Sequence, residues 1–196
     1  MDLTARISTH FEESARLKLE LADLLATPIA KAAELIAKAL LEEKKVLACG
    51  NGAAAANAQY FASRLLNRYE MERPSLAAIA LSADSITLTT IANDNHFQQI
   101  FSKQVTALGM AGDVLLAISS SGNSKNVLKA IEAAHERGMH VIAFSGGDGG
   151  GVVELLGAED IHIGVPHDDP ARIQEVYILT LHCMCDAIDC FLLGVN

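Results

Sequence analysis

The segment GDVLLAISSSGNS (112–124) joins a strand-length apolar run to a polar loop. The apolar run, DVLLAIS (113–119), is continuous rather than alternating, which is typical of a strand buried on both faces of a sheet. The serine loop (residues 119–124) carries five hydroxyl or amide side chains in six residues and opens a helical pattern. Hydroxyls, a glycine and free backbone N–H groups at a helix start are suited to binding phosphate. The loop therefore predicts a phosphate site, and a serine-rich cap without a ligand is the alternative.

Four other short apolar runs are separated by helical patterns. They are KVLAC (45–49), LAAIAL (76–81), HVIAFS (140–145) and DIHIGV (160–165). Strands that alternate with helices form parallel sheets with right-handed crossovers. The chain is therefore predicted to be an α/β protein, a three-layer sandwich around a five-stranded parallel sheet.

Helical patterns also precede the first predicted strand and follow the last one along the sequence. Apolar spacing predicts a first helix that ends before Thr27-Pro28, where an N-cap and a first-turn proline predict a second helix to about Glu43. A long last helix is predicted over 170–193. These helices exceed what five strands need for cover, so we expect residues 1–43 to form contacts in a homo-oligomer. A monomer that folds these helices onto its own sheet is the alternative.

Composition and charge exclude several functional classes. The 196 residues are 51% hydrophobic and 20% charged, enough for a sizeable core, and the net charge is −9. An acidic surface repels phosphate backbones, so direct nucleic-acid binding is not expected. We expect neither a membrane span nor a signal peptide.

Four cysteines give no disulfide framework. Cys183 and Cys185 are two residues apart in a helical pattern and so point to different faces, which argues against a shared metal. Together with Cys49 and Cys190 they are predicted to be buried, reduced thiols, and a cytoplasmic location is expected.

Two further polar turns accompany the predicted sheet. Gly50-Asn51-Gly52 follows the first strand and opens a helix, so its backbone could approach an anion. Asn93-Asp94 follows the second crossover and by itself indicates only a turn. We expect both near the carboxyl edge of the sheet, where open α/β sheets bind ligands.

Several motifs together resemble the sugar isomerase (SIS) domain family. They are CGNG (49–52), ERPSLAAIAL (72–81), IAND (91–94), GDVLLAISSSGNS (112–124), GGDGGG (146–151) and ARIQE (171–175). The similarity covers essentially residues 1–196 as one SIS domain, with residues 44–196 as its flavodoxin-like sheet core, in the branch that contains phosphoheptose isomerase and the DnaA initiator-associating protein. The resemblance implies a homotetramer with sites between subunits that bind a sugar phosphate. The phosphosugar contacts that it implies are Asn51, Gly52, Asn93, Asp94, Ser119, Ser120, Ser121, Ser124 and Gln174.

The implied catalytic positions depart from the enzyme pattern. Family isomerases have a histidine and, four residues later, a glutamate on the helix after CGNG, and this pair with a glutamine and a histidine of the last helix can hold zinc. Here those positions are Tyr60, Arg64, Gln174 and His182. An arginine is neither a base at neutral pH nor a ligand for a metal cation, so no metal or other cofactor is expected. His182 is the one candidate catalytic residue, and a hydrogen-bonded core histidine is the alternative.

Two functional hypotheses follow. The first is a non-enzymatic tetrameric adaptor with a degraded site, similar to the protein that bridges DnaA molecules in replication initiation, with DnaA as a possible partner. The second is an active phosphoheptose isomerase that converts sedoheptulose 7-phosphate to glycero-manno-heptose 7-phosphate with another base, for instance Asp94 or Glu175. The missing histidine–glutamate pair favours the adaptor.

Overall fold

A computed structural model describes residues 1–194 and places the five predicted strands in one parallel sheet with the order β2-β1-β3-β4-β5. The elements in chain order are α1 (Leu3–Leu41), β1 (Val46–Gly50), α2 (Ala53–Leu66), β2 (Ala78–Ala80), α3 (Ser85–Asp94), a 3₁₀ turn (Phe97–Gln99), α4 (Ser102–Leu108), β3 (Val114–Ser119), α5 (Lys125–Glu136), β4 (His140–Gly146), α6 (Gly150–Leu155), β5 (Ile161–Val165) and α7 (Pro170–Leu193). Each strand lies within about two residues of its predicted position. Val195 and Asn196, which the predicted SIS domain includes, lie outside the described residues.

Helices cover both faces of the sheet. Along β1, Val46 and Ala48 pack in an apolar layer that includes α1, α2 and α7, whereas Leu47 and Cys49 pack in a second layer with α4 and α5. The two central strands β1 and β3 are buried throughout, and the edge strands β2 and β5 are partly exposed. The predicted three-layer sandwich is confirmed.

The predicted break between two N-terminal helices is wrong. Residues Leu3–Leu41 form one helix of 39 residues that continues through Thr27 and Pro28. An interior proline costs roughly 3 kcal/mol because it removes a hydrogen bond and crowds the preceding turn. One face of α1 is buried on both sides of the proline, as shown by the buried residues Leu25 before it and Ala32 after it. Packing along this continuous face stabilises the helix despite the proline, since most helical stability comes from tertiary packing.

The last helix, α7, is part of the core. Among residues 1–194 it is the one helix whose length and apolar composition would allow it to cross a membrane. Buried helices of globular proteins meet the same criteria. Val176, Tyr177 and Leu181 are buried in the apolar layer beneath the sheet, so packing within the fold accounts for its composition.

The cysteines are free thiols, and their predicted burial is confirmed for two of the four. Cys49 and Cys185 are buried, Cys190 is half-buried and Cys183 is exposed. Cys183 and Cys185 therefore lie on different faces of α7, as their spacing predicts.

Candidate functional site

The turn after β1 and the start of α5 meet at the carboxyl edge of the sheet. In a sheet of order 2-1-3-4-5, the crossovers from β1 and β3 leave toward opposite faces and open a crevice between these strands. Asn51 and Asn126 exchange two side-chain hydrogen bonds of 2.8 Å across this crevice. The segments that follow β1 and β3 therefore lie side by side at this edge of the sheet.

Gly52 leaves the backbone open at the start of α2. Its φ of +54° lies in the region that favours glycine, and no atom lies within 4 Å of the position a Cβ would occupy. No side chain among residues 1–194 caps this helix, and the N–H groups of Ala54 and Ala55 donate to the carbonyls of Asn51 and Gly52. The open feature of this turn is therefore the space beside the Gly52 backbone.

Most hydroxyls of the serine loop are available to a ligand. The Ser119 hydroxyl is buried and has no hydrogen-bond partner among residues 1–194. Ser124 is the N-cap residue of α5, yet its side chain makes no capping hydrogen bond. Ser120 and Ser121 line a cavity of about 240 Å³, and the Ser121 oxygen accepts a hydrogen bond of 3.2 Å from the Asn123 N–H. Unused hydroxyls beside the N-terminus of a helix suit an anionic group.

The glycine-rich segment 146–151 holds the serine loop in position. The Gly146 N–H donates a 3.0 Å hydrogen bond to the Ser120 carbonyl, and the Val152 N–H donates one of 2.9 Å to the Gly122 carbonyl. Gly122 has a φ of +65°, and a Cβ there would lie 2.0 Å from the Gly149 carbonyl oxygen. The two loops can approach this closely only because glycine stands at the contact.

The expected turn at Asn93-Asp94 is wrong, since both residues belong to the last turn of α3. Asp84 caps this helix by accepting from the Ile86 and Thr87 N–H groups, and the helix then continues through the Asn-Asp pair. Both side chains are exposed, and Asn93 Nδ2 donates a 3.1 Å hydrogen bond to Asp94 Oδ1. No hydrogen bond within residues 1–194 connects either residue to the serine loop, so their role in binding stays a prediction.

Gln174 faces the second helix across a side-chain hydrogen bond. Its Oε1 accepts a 2.8 Å bond from Asn57 Nδ2 on α2. Sequence reasoning did not single out Asn57, although it lies three residues before Tyr60 and seven before Arg64, on the same helix face. Asn57 orients the Gln174 amide and pairs the early turns of α2 and α7.

Four side chains meet in the α2–α7 crease, which we define by Tyr60, Arg64, Tyr69 and His182. The Tyr60 and His182 rings have centroids 5.5 Å apart in an edge arrangement, and the Tyr69 ring stacks on His182 at 6.0 Å. Arg64 Cζ lies 4.9 Å from the Tyr60 ring centroid, within the range of a cation–π contact. The structure thus brings together three of the four positions that the family pattern relates, and Tyr69 joins them without having been predicted.

His182 is not a hydrogen-bonded core residue. It is half-buried, and no hydrogen bond within the described part of the chain involves either of its ring nitrogens. Its two ring nitrogens are therefore not committed to other groups in the described part of the chain.

A buried ion pair locks the end of α2 to α7. Arg73 Nε donates a 2.5 Å bond to Asp189 Oδ1, and the other guanidinium nitrogens donate to the carbonyls of Arg64 and Leu65. Sequence reasoning missed this pair because its members are 116 residues apart. The ion pair holds the α2–α7 crease together.

The crease does not suit zinc. Zinc binds nitrogen, sulfur and oxygen donors, but Arg64 has no acceptor atom and Gln174 Oε1 already accepts from Asn57. Within residues 1–194, no group of three or more His, Cys, Asp and Glu side chains is placed to hold a metal ion. We therefore derive no chemical step through a metal.

Comparison with known proteins identifies the family. The family model described as SIS domain matches residues 9–146, which is more than half of the chain. The chain belongs to the SIS domain family.

Proteins similar to this SIS chain bear the name of an isomerase. Phosphoheptose isomerase of Azoarcus sp. (strain BH72) is 61% identical over 100% of both chains, and that of Aromatoleum aromaticum is 63% identical over 100% of this chain and 99% of its own. The structure of phosphoheptose isomerase GmhA from Neisseria gonorrhoeae matches with a TM-score of 0.90 and 52% identity over 95% of this chain and 98% of that one. A phosphoheptose isomerase from Francisella tularensis matches with a TM-score of 0.93 and 47% identity over 96% and 99%.

These similarities correct the functional expectation. The replacement of the histidine–glutamate pair by Tyr60 and Arg64 favoured a non-enzymatic adaptor in replication initiation. That expectation is wrong, because full-length SIS relatives above 60% identity are named as isomerases. A similarity that extends over the whole chain is stronger evidence of function than two substitutions in one crease.

Proposed function

We propose that this SIS protein is an aldose–ketose isomerase that converts sedoheptulose 7-phosphate to glycero-manno-heptose 7-phosphate. The observation that carries the proposal is the 61% identity, over all of both chains, with a protein named phosphoheptose isomerase. The reaction class also suits the site, which combines a place for an anion with a free imidazole.

The serine loop supports the phosphate end of the proposal. The unpartnered Ser119 hydroxyl, the uncommitted Ser124 side chain and the start of α5 offer donors to phosphate oxygens. The absence of a side chain at Gly52 leaves space for the ligand beside the start of α2.

His182 supports the proton-transfer end. Isomerisation moves a proton between C1 and C2 through an enediol, so a group that takes and returns a proton is needed there. Glu175, one alternative base, has one oxygen 3.1 Å from Arg172 Nη2 in an ion pair and a second oxygen that is buried without a partner. Asp94, the other alternative, is exposed at the end of α3. His182 fits best because it combines partial exposure with unused nitrogens beside Tyr60 and Arg64.

Exposed apolar residues support assembly into a homotetramer with sites between subunits. Leu3, Ile7 and Phe11 in the first turns of α1 are 60%, 56% and 75% exposed. An apolar cavity of about 360 Å³ also lies between α1 and α7. Large exposed apolar surfaces of this kind mark interaction sites, and association would bring Asn93 and Asp94 of one subunit toward another. A cytoplasmic location is part of the same proposal.

An NMR assay in D₂O tests the proposed reaction. Conversion of sedoheptulose 7-phosphate through an enediol should introduce deuterium from solvent at C2 of the aldose. His182→Asn should reduce turnover by about 10²- to 10⁴-fold, which is the usual contribution of a general base. The matched control is His135→Asn, which changes an exposed histidine on α5 that pairs with Asp160. Absence of conversion by the unaltered protein would refute the proposed reaction, and full turnover by His182→Asn would refute the role of His182 in it.

A further inference from the structure

Arg64 carries a buried donor that the protein leaves unused. Its Nε atom is buried and has no hydrogen-bond partner among residues 1–194. Arg64 also takes part in no ion pair within that range. A buried charged donor without an acceptor costs more than a typical hydrogen bond contributes, so such groups are rarely left without a hydrogen-bond partner. The unused donor therefore indicates an anionic or strongly polar group in the α2–α7 crease.

No neighbouring acid pairs with Arg64 among residues 1–194. Asp189 is bound through Oδ1 to Arg73 at 2.5 Å, and its buried Oδ2 makes no hydrogen bond to Arg64. Arg73 also donates a hydrogen bond to the Arg64 carbonyl, so both arginines lie at the C-terminal end of α2. The guanidinium of Arg64 is instead held over the Tyr60 ring at 4.9 Å.

Arg64 is connected through Tyr60 to His182, the proposed proton carrier. Helical side chains lean toward the N-terminus of their helix, so Arg64 extends toward the turn that carries Tyr60. Tyr60 in turn contacts His182 with ring centroids 5.5 Å apart. A reacting sugar carbon held at His182, beside Tyr60, would therefore lie near the guanidinium.

We propose that Arg64 is a catalytic residue that binds the oxyanion formed on the sugar during proton transfer. This inference rests on the proposed isomerase function. In this role the guanidinium of Arg64, held in a fixed position, stabilises the negative charge that develops in the transition state.

Atoms and electrons balance in the proposed step. His182 takes a proton from C1 of the ketose, the C–H electron pair becomes the C1–C2 double bond, and the C2 carbonyl electrons move onto O2. Arg64 donates hydrogen bonds to that oxygen while it is negative. A proton shift from O1 to O2 and delivery of a proton to C2 from the His182 imidazolium, after exchange with solvent, give the aldehyde at C1. No oxidant, reductant or metal is consumed.

A pair of inert ligands tests the charge preference apart from turnover. A heptonate 7-phosphate carries a carboxylate at C1, and the corresponding heptitol 7-phosphate carries a neutral alcohol there. By calorimetry the unaltered protein should bind the heptonate about 10- to 100-fold more tightly, as expected of charge-assisted hydrogen bonds. Arg64→Met should abolish this preference and leave heptitol binding unchanged, and Arg64→Lys should retain part of it.

Controls separate the outcomes. Arg68→Met removes an exposed arginine one turn further along the chain, paired with Glu72, and should leave the preference intact. An equal loss of both ligands in Arg64→Met and Arg64→Lys, with unchanged thermal unfolding, would overturn the oxyanion role and leave the isomerase proposal standing. Failure of the unaltered protein to bind either ligand or to convert the ketose would refute both proposals. In an active protein, a preference that survives in Arg64→Met refutes the inference alone.

Discussion

Arg73 and Asp189 form a buried ion pair, with Nε 2.5 Å from Oδ1 and each side chain only 2% exposed. The pair connects the segment after α2 to the last turns of α7. Because Arg73 also binds the carbonyls of Arg64 and Leu65, it fixes the C-terminal end of α2 where the crease is formed.

Removing one member of this pair should destabilise the protein strongly. Asp189→Asn leaves the Arg73 charge buried without its counter-ion, which typically costs about 3–5 kcal/mol. The free energy of unfolding, measured with urea at fixed protein concentration, should fall by that amount. Glu72→Gln breaks the exposed Arg68–Glu72 pair and is the matched control, with an expected loss of at most about 1 kcal/mol. Similar small losses in both variants would contradict the assigned role.

Removal of two serine hydroxyls should weaken ligand binding. Ser121→Ala combined with Ser124→Ala deletes two donors to a phosphate, and each hydrogen bond to a charged group contributes roughly 1.5–3 kcal/mol. The affinity for sedoheptulose 7-phosphate, measured by calorimetry, should therefore fall by at least about 10-fold. Ser75→Ala alters an exposed serine away from the loop and serves as the control. An unchanged affinity in the double variant would show that the phosphate lies elsewhere.

The protein should not retain stoichiometric zinc. The crease offers a cation and a single histidine, His182, and the nearby Gln174 amide is already bound by Asn57. After incubation with zinc and gel filtration, elemental analysis should find well under one ion per chain, and a chelator should leave the thermal midpoint and turnover unchanged. One bound equivalent that is lost in His182→Ala would contradict this prediction.

Stability should depend on the protonation of His162. Burial lowers the pKa of His162 below its usual 6.5, and its Nε2 lies 2.6 Å from the Ser145 hydroxyl. Below about pH 6.5, His162 binds a proton in the unfolded chain more readily than in the folded protein. The free energy of unfolding therefore decreases as the pH is lowered, until the pH passes the pKa of His162 in the folded protein. His162→Gln should lack this contribution. The thermal midpoints of the two proteins should therefore run parallel above pH 7.5 and diverge between about pH 6.5 and 5. His96→Gln, at an exposed histidine, should follow the unaltered protein; parallel curves for His162→Gln throughout would refute the assignment.

Two thiols should be inert in the folded protein. Burial raises the pKa of Cys49 and of Cys185 to about 12, so almost no thiolate is present at pH 8. Ellman's reagent should leave both unmodified until the protein unfolds, when all four cysteines react. Cys49→Ala should lower the count in denaturant by one without changing the native count, and a lower native count would disprove its protection.

The strands and their loops were predictable because the relevant signals are local. A continuous apolar run such as 113–119 identifies a strand buried on both faces, and the serine loop that follows it must lie at the carboxyl edge of a parallel sheet. The same local reasoning failed at Pro28. There the burial of Leu25 and Ala32 against the rest of the fold outweighed a strong local signal for a break.

Other features depend on contacts that no local pattern contains. Asn51 meets Asn126 across 75 residues and Asn57 meets Gln174 across 117, and these pairs join two loops and two helices into one site. Residue types in the chain establish that a family glutamate is replaced by Arg64. Folding establishes that its guanidinium lies over Tyr60, near His182, with a buried donor free. The division has a physical cause, since secondary structure follows from the pattern of nearby side chains, whereas the neighbours of a buried charge are set by how distant helices pack.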